Sequence, residues 1–166
     1  MPTAVGATGP RLRPRLRACL DLAPREGPVA DVGSAHGRLA RALLARNPEL
    51  GVLATEARSG PARELCREVG GRPGISIVVG RGLEPLRGRP LRGAVIAGMG
   101  GRTIIGILSD GDDVVRQLGW LLLQAMQGTD LLHVWLRRQG FRLRAGARPV
   151  EAGRTYPTVL VAPPCA

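Results

Sequence analysis

Val29-Ala-Asp31-Val-Gly33-Ser34-Ala35-His36-Gly37, followed by Arg38–Arg46 with Leu39, Ala42 and Leu43 on one face, is the stretch that decides the fold. The short apolar run Pro28–Val32 reads as a buried strand, and the periodic residues after it read as an amphipathic helix. Gly33 permits a tight turn off the strand. Gly37 permits the helix to start close to the sheet. Together they leave room for a ligand at the helix N-terminus.

The same alternation continues downstream. Gly51–Thr55 reads as a second strand ending at Glu56, and Pro61–Val69 as a helix closed by Gly70-Gly71. Ile75–Val79 and Arg92–Ala97 read as strands, the latter running into Gly98-Met99-Gly100-Gly101. Helices are expected over Thr103–Leu108 and Asp130–Gln139, with the almost unbroken apolar strand Gly119–Gln124 between them. Phe141–Ala147 and Thr155–Ala162 read as two final strands about a turn at Glu151-Ala152-Gly153, close enough in sequence to pair antiparallel. Apolar strands separated by helices imply a mostly parallel sheet covered on both faces. The expected architecture is α/β: a Rossmann-like, doubly wound, seven-stranded sheet with an antiparallel C-terminal strand.

Upstream, Arg11–Ala23 carries Leu12, Leu16 and Leu20 at helical spacing with Arg11, Arg13, Arg15 and Arg17 between them. It reads as a basic amphipathic helix, and Met1–Pro10 as a flexible tail. The domain reading is a tail over 1–10 and a single domain over 11–166.

Composition narrows the partners. All 24 basic residues are arginine and the formal net charge is +11. That balance suits a polyanion, because each phosphate contact releases counterions. Cys19, Cys66 and Cys165 are widely spaced and His36 and His133 complete no ligand pattern, so neither disulfides nor a metal are expected. No apolar stretch approaches the roughly 18–20 residues of a membrane span, and Met1–Pro10 lacks a signal-peptide core. The expectation is a cytoplasmic protein with no membrane partner.

In an open parallel sheet, ligands sit beyond the carboxyl ends of the strands, where this sequence puts its unusual residues. Glu56, ending the second strand, suits a pair of ribose hydroxyls. The first loop is Asp-x-Gly-x-x-x-Gly rather than Gly-x-Gly-x-x-Gly. An acid before the loop suits the ammonium of S-adenosylmethionine and repels the pyrophosphate of a dinucleotide. Gly80-Arg81-Gly82-Leu83 is a candidate adenine wall. Three glycines within Gly98–Gly101 let a ligand approach the backbone closely, with Met99 as an apolar contact. Tyr156 is the candidate aromatic platform for a flipped base, since Trp120 and Trp135 read as core.

Val29-Ala-Asp-Val-Gly-Ser34, His36, Glu56, Gly82-Leu-Glu84, Ile96-Ala-Gly-Met-Gly-Gly101, Leu123-Gln124 and Tyr156-x-x-Val-Leu-Val161 resemble the bacterial tRNA (adenine-22-N1)-methyltransferase family. The resemblance runs from about Arg15 to Ala162. It implies a class I methyltransferase fold, S-adenosyl-L-methionine as cofactor and tRNA as substrate, methylated at adenine N1. It further implies Asp31, Gly33, Ser34 and Gly37 on the methionine side, Glu56 at the ribose, and Gly80, Arg81 and Gly82 at the adenine. Ala97 and Gly98 would complete the cofactor wall, with Gly98, Met99, Gly100 and Gln124 at the transfer centre. This sequence departs from the family at Ala35 and Arg81, where aspartates are usual, and at Ala125-Met126, where Pro-Asn is usual. The family also carries a helical C-terminal tRNA-binding domain beyond the stretch that ends here at Ala166. RNA contacts are therefore expected from Arg11, Arg13, Arg15, Arg17 and other surface arginines. Ala35 and Arg81 motivate a second reading, a degenerate fold that binds RNA without catalysis.

Overall fold

Alternation along each strand sorts side chains onto the two faces of a sheet, and the two faces determine where each helix lies. The computed structural model describes residues 11–164, so the tail expected at Met1–Pro10 and Cys165 lie outside the described residues. The elements are α1 (Pro14–Leu22), β1 (Val29–Val32), α2 (Arg38–Arg46), β2 (Val52–Glu56), α3 (Ser59–Val69), β3 (Ile75–Val79), β4 (Gly93–Met99), α4 (Gly101–Asp110), α5 (Asp112–Val115), β5 (Trp120–Ala125), α6 (Thr129–Arg138), β6 (Arg142–Ala147), β7 (Val150–Glu151), β8 (Arg154–Thr155) and β9 (Thr158–Ala162). A 3-10 turn, Glu84–Leu86, precedes β4.

Seven strands form one sheet in the order β3-β2-β1-β4-β5-β9-β6. β3, β2, β1, β4 and β5 pair in parallel, and β9 pairs antiparallel with both β5 and β6. The doubly wound sheet with an antiparallel closing strand is as expected. Ala30, Val32, Ala94, Ile96, Leu121 and Leu123 face one core with Ile104 and Leu108 of α4 and Leu132 and Leu136 of α6. Val29, Val52, Ala54, Val95, Trp120 and Leu122 face the other, covered by Cys19 and Leu20 of α1, Leu39 and Leu43 of α2, and Leu65 and Val69 of α3. Each large aliphatic side chain so buried contributes about 1.5–3 kcal/mol. Asp31 and Gln124 occupy positions of this second face, on the side of α1.

Several boundaries differ from the sequence reading. α1 begins at Pro14, because proline drives the residue before it into extended backbone. Arg13 has φ −67° and ψ 157°, so Arg11 and Arg13 precede the helix. α3 starts at Ser59, two residues before Pro61, which sits in a first turn where its missing N–H is not needed. β4 continues through Gly98 to Met99, with a register shift against β5 between Ala97 and Met99. The expected glycine turn is therefore a bulged strand end. Thr155 belongs not to β9 but to the β7–β8 hairpin, whose tip, Ala152 and Gly153, has positive φ at both residues, as a two-residue hairpin turn requires. α5 and the 3-10 turn, each four residues or fewer, carry too little periodicity to be read beforehand. Among the described residues no helix is long and apolar enough to cross a membrane.

Candidate active site

The strand order turns back on itself between β1 and β4. The next element after β1 lies to one side and the strand after β4 lies to the other. Loops diverge at such a point and leave a crevice beyond the strand ends. A cavity of about 230 Å³ opens there, lined by Asp31, Gly33, Ser34, Ala35 and His36 from the end of β1, by Arg38 and Leu39 of α2, by Ala97, Gly98 and Met99 of β4, and by Arg15 and Leu16 of α1.

Asp31 forms its floor. It is only 4% exposed, and its Oδ2 accepts a 2.6 Å hydrogen bond from Ser34 Oγ. Burial pushes its carboxyl up from the usual 3.8 to about 6, a shift opposed by the Ser34 bond and helped slightly by the charge of Glu56. The thiol of Cys19, on α1, is pushed up to about 12 by its own burial and by Asp31. It stays protonated and unreactive at neutral pH.

Every second residue of the loop after Asp31, 33, 35 and 37, is left-handed. Gly33 has φ +71° and Gly37, at the N-cap of α2, has φ +65°. A β-carbon on Gly33 would lie 2.3 Å from Met99 Cε, so the methionine seals one wall against bare backbone. Ala35 also has a positive φ, +50°, and is exposed. An alanine in that region costs about 1 kcal/mol that glycine does not. Ala35→Gly is therefore expected to stabilise the protein by about 0.5–1 kcal/mol in urea denaturation, a midpoint shift without a change of slope. An unchanged or lower midpoint would contradict this account of the loop.

Cross-links hold the strand ends in register. Ser34 N donates to Thr55 O at 2.9 Å, and Gly80 N donates to Glu56 O at 3.0 Å. Glu56, half-buried at the end of β2, stands beside the cavity rather than in it, and its Oε1 accepts from Ala57 N at 3.0 Å. Gly98 N donates to Gln124 Oε1 at 3.0 Å, while Gln124 Nε2 donates to Ala125 O at 2.8 Å.

The expected site residues thus divide. Asp31, Gly33, Ser34, Ala97, Gly98 and Met99 meet in one cavity, with Arg15 turned inward to join them. Gly37 is buried beneath its rim and Gly100 follows β4 as the N-cap of α4. Gln124 is a correction: its side chain is fully buried and spent on backbone partners, so it holds Gly98 in place and presents nothing to a ligand. Tyr156 is another. It is 9% exposed, its ring covered, and offers no open platform for a base. Arg81 and Gly82 line a separate concavity with Ile107, Asp110 and Gly111. Arg81 is exposed and does not reach into the Asp31 cavity.

Arg11, Arg13 and Arg17 are exposed. Arg13 and Arg15 both approach Glu151 of β7, at 3.6 and 3.5 Å. Glu151 escaped the sequence reading because no local pattern links positions 15 and 151. His36, on the rim, has its Nδ1 3.2 Å from Glu64 Oε1. Among the described residues no cluster of three or more His, Cys, Asp or Glu side chains is arranged to hold a metal ion.

Comparison with known proteins gives this cavity a family. Residues 12–159 match the model of a methyltransferase domain. The chain is 31% identical over 155 residues to the tRNA (adenine(22)-N(1))-methyltransferase of Bacillus subtilis (strain 168), covering 92% of this chain and 65% of that protein. The chain thus spans just under two thirds of the length of that curated relative. Among solved structures, the B. subtilis m1A22 tRNA methyltransferase TrmK superposes with a TM-score of 0.84 at 28% identity, covering 93% of this chain and 68% of the other. Sp1610 of Streptococcus pneumoniae, a candidate tRNA (m1A22) methyltransferase crystallised with S-adenosyl-L-methionine, gives a TM-score of 0.85 at 27% identity, over 94% of this chain and 75% of that one. The sheet order, the cavity at its turning point and a family match spanning most of the sequence lead to one statement: the chain belongs to the methyltransferase domain family.

Proposed function

We propose that this chain transfers a methyl group from S-adenosyl-L-methionine to N1 of an adenine in tRNA. The observation that carries the proposal is the pairing of a buried carboxylate, Asp31, with bare backbone at Gly33 and Gly98 at the switch point of the sheet. S-adenosylmethionine supplies, when bound, a methyl group on a positively charged sulfur. Asp31 in its ionised form neutralises the ammonium of the amino-acid end. Glu56 offers a carboxylate to two vicinal ribose hydroxyls at the end of β2. Met99 gives the cavity an apolar wall, and Gly98 leaves space where a side chain would obstruct the approach of a base.

The residues present suit this target atom. N1 of neutral adenine carries an in-plane lone pair and gives up no proton before attack, so no general base is required. Gly98, Met99 and the buried Gln124 behind them serve alignment and exclusion of water. The noncatalytic reading rested on Ala35 and Arg81; Ala35 leaves the loop in its left-handed path and Arg81 leaves the cavity open. The exposed arginines Arg11, Arg13 and Arg17, with Arg142, Arg144 and Arg148 on and after β6, supply positive charge for an RNA backbone.

Incubation with unmodified tRNA and methyl-labelled S-adenosylmethionine, followed by nucleoside mass spectrometry, is expected to yield 1-methyladenosine. RNA binding should weaken steeply with added salt. Methyl transfer to another position, or none with a protein that binds the cofactor, would refute the assignment of the target atom.

A further inference from the structure

We infer that Glu151 is a positioning residue that holds Arg15 across the cavity, so that the Arg15 guanidinium takes the carboxylate of the methyl donor's amino-acid end. The inference rests on the proposed function and assigns a task that the family match does not.

Arg15 is the one α1 arginine that lines the cavity. Its side chain is 21% exposed, against 69% for Arg13. Its Nη1 lies 3.4 Å from where a β-carbon on Gly98 would stand, so the guanidinium crosses the mouth of the cavity toward the end of β4. Its Nε is buried and has no hydrogen-bond partner among the described residues. Glu151 Oε1 stands 3.5 Å from that Nε, and Glu151 Oε2 accepts from the backbone N–H of Arg15 at 3.3 Å. One carboxylate, 13% exposed, therefore accepts from the backbone of Arg15 and pairs by charge with its guanidinium. It also sits at the N-terminus of α1, where negative charge is favoured.

This grip fixes a direction. A free arginine on a surface helix samples many rotamers, and ordering it costs conformational entropy. Glu151 meets that cost before the ligand arrives. The cavity then presents one acid, Asp31, and one restrained cation, Arg15, to the same small space. An α-amino acid end carries the matching pair, an ammonium and a carboxylate. A guanidinium suits a carboxylate because its donors form a planar fork. Arg38 also lines the cavity, but it is exposed, and among the described residues no carboxylate tethers it.

The test compares calorimetric affinities for S-adenosylmethionine and for its decarboxylated analogue, which differ only in the group Arg15 is said to read. Arg15→Ala should weaken S-adenosylmethionine about 20-fold. Glu151→Gln, nearly isosteric, should weaken it about 5-fold, the loss expected for an unrestrained arginine. Binding of the decarboxylated analogue should change by less than about twofold in both variants, which also shows that each is folded. Arg15→Lys, keeping charge without the fork, should recover part of the loss, and Arg38→Ala should retain the wild-type preference. Parallel weakening of both nucleosides, or an unchanged preference in Arg15→Ala, would overturn the inference, as would loss of preference in Arg38→Ala. A preference lost in Arg15→Ala but kept in Glu151→Gln would overturn the role of Glu151. Failure of the wild type to bind either nucleoside would instead remove the proposed function, and this inference with it.

Discussion

Asp31→Asn is expected to raise the melting temperature of the ligand-free protein while weakening S-adenosylmethionine binding about 100-fold, because truncating one member of a buried charge pair costs about 2–5 kcal/mol. Both effects come from one buried carboxylate. In the free protein the group holds its proton up to about pH 6 instead of the usual 3.8. The folded state thus binds more protons than the unfolded chain between those values, and stability falls as pH rises through that window. Above about pH 6 the ionised apoprotein carries the full penalty, on the order of 3 kcal/mol. Asparagine keeps an acceptor for Ser34 Oγ without the charge. Recovering about 1–2 kcal/mol would raise the melting temperature by about 3–6 °C at pH 8. Ligand binding runs the other way, since the ammonium needs the ionised acid. Wild-type affinity should fall about tenfold from pH 8 to pH 5, and Asp31→Asn should lose that dependence. Calorimetry across this range, with thermal melts of the free protein, checks both arms. A variant that binds within about threefold of the wild type would show that Asp31 is not the ammonium's partner.

Gly33→Val is the second large effect. Position 33 has φ +71°, where a β-branched residue costs about 1–2 kcal/mol or more. The new β-carbon would also start 2.3 Å from Met99 Cε, an overlap that no rotamer of valine relieves. Met99 is flexible and can move, but the space beside it is the cavity itself. Stability is expected to drop by about 2 kcal/mol and S-adenosylmethionine affinity by at least about 50-fold. Pairing the substitution with Met99→Ala should restore part of the affinity, because the overlap disappears while the backbone cost remains. Should the double variant bind no better than the single one, the contact with Met99 would not be the obstruction.

What the sequence makes legible falls off with distance along the chain. Asp31, Gly33, Ser34 and Gly37 were legible because strand, turn and helix start lie within a few residues and each imposes a local requirement. The sheet class was legible because apolar runs alternate with helical stripes. Gln124 misled because sequence shows a polar residue at a strand end but not which face it takes. Alternation turns it inward, where its amide meets Gly98 N. Tyr156 misled because its burial is set by the folded chain around it, not by its neighbours in sequence. Arg81 lies two residues from Val79 at the end of β3, yet its loop turns toward α4, and nothing local sets that direction. Glu151 was invisible for the same reason at larger scale, its partner being 136 residues away.

That separation has a consequence for synthesis. The roof of the cavity is made from α1, which leaves the ribosome before the sheet it covers, yet the carboxylate that fastens it arrives only with the hairpin at Glu151. A nascent chain therefore has nothing complete to offer a nucleoside until translation has passed that hairpin. Stabilisation by bound ligand goes to finished molecules alone, and partly made ones must rely on their own packing to escape proteolysis.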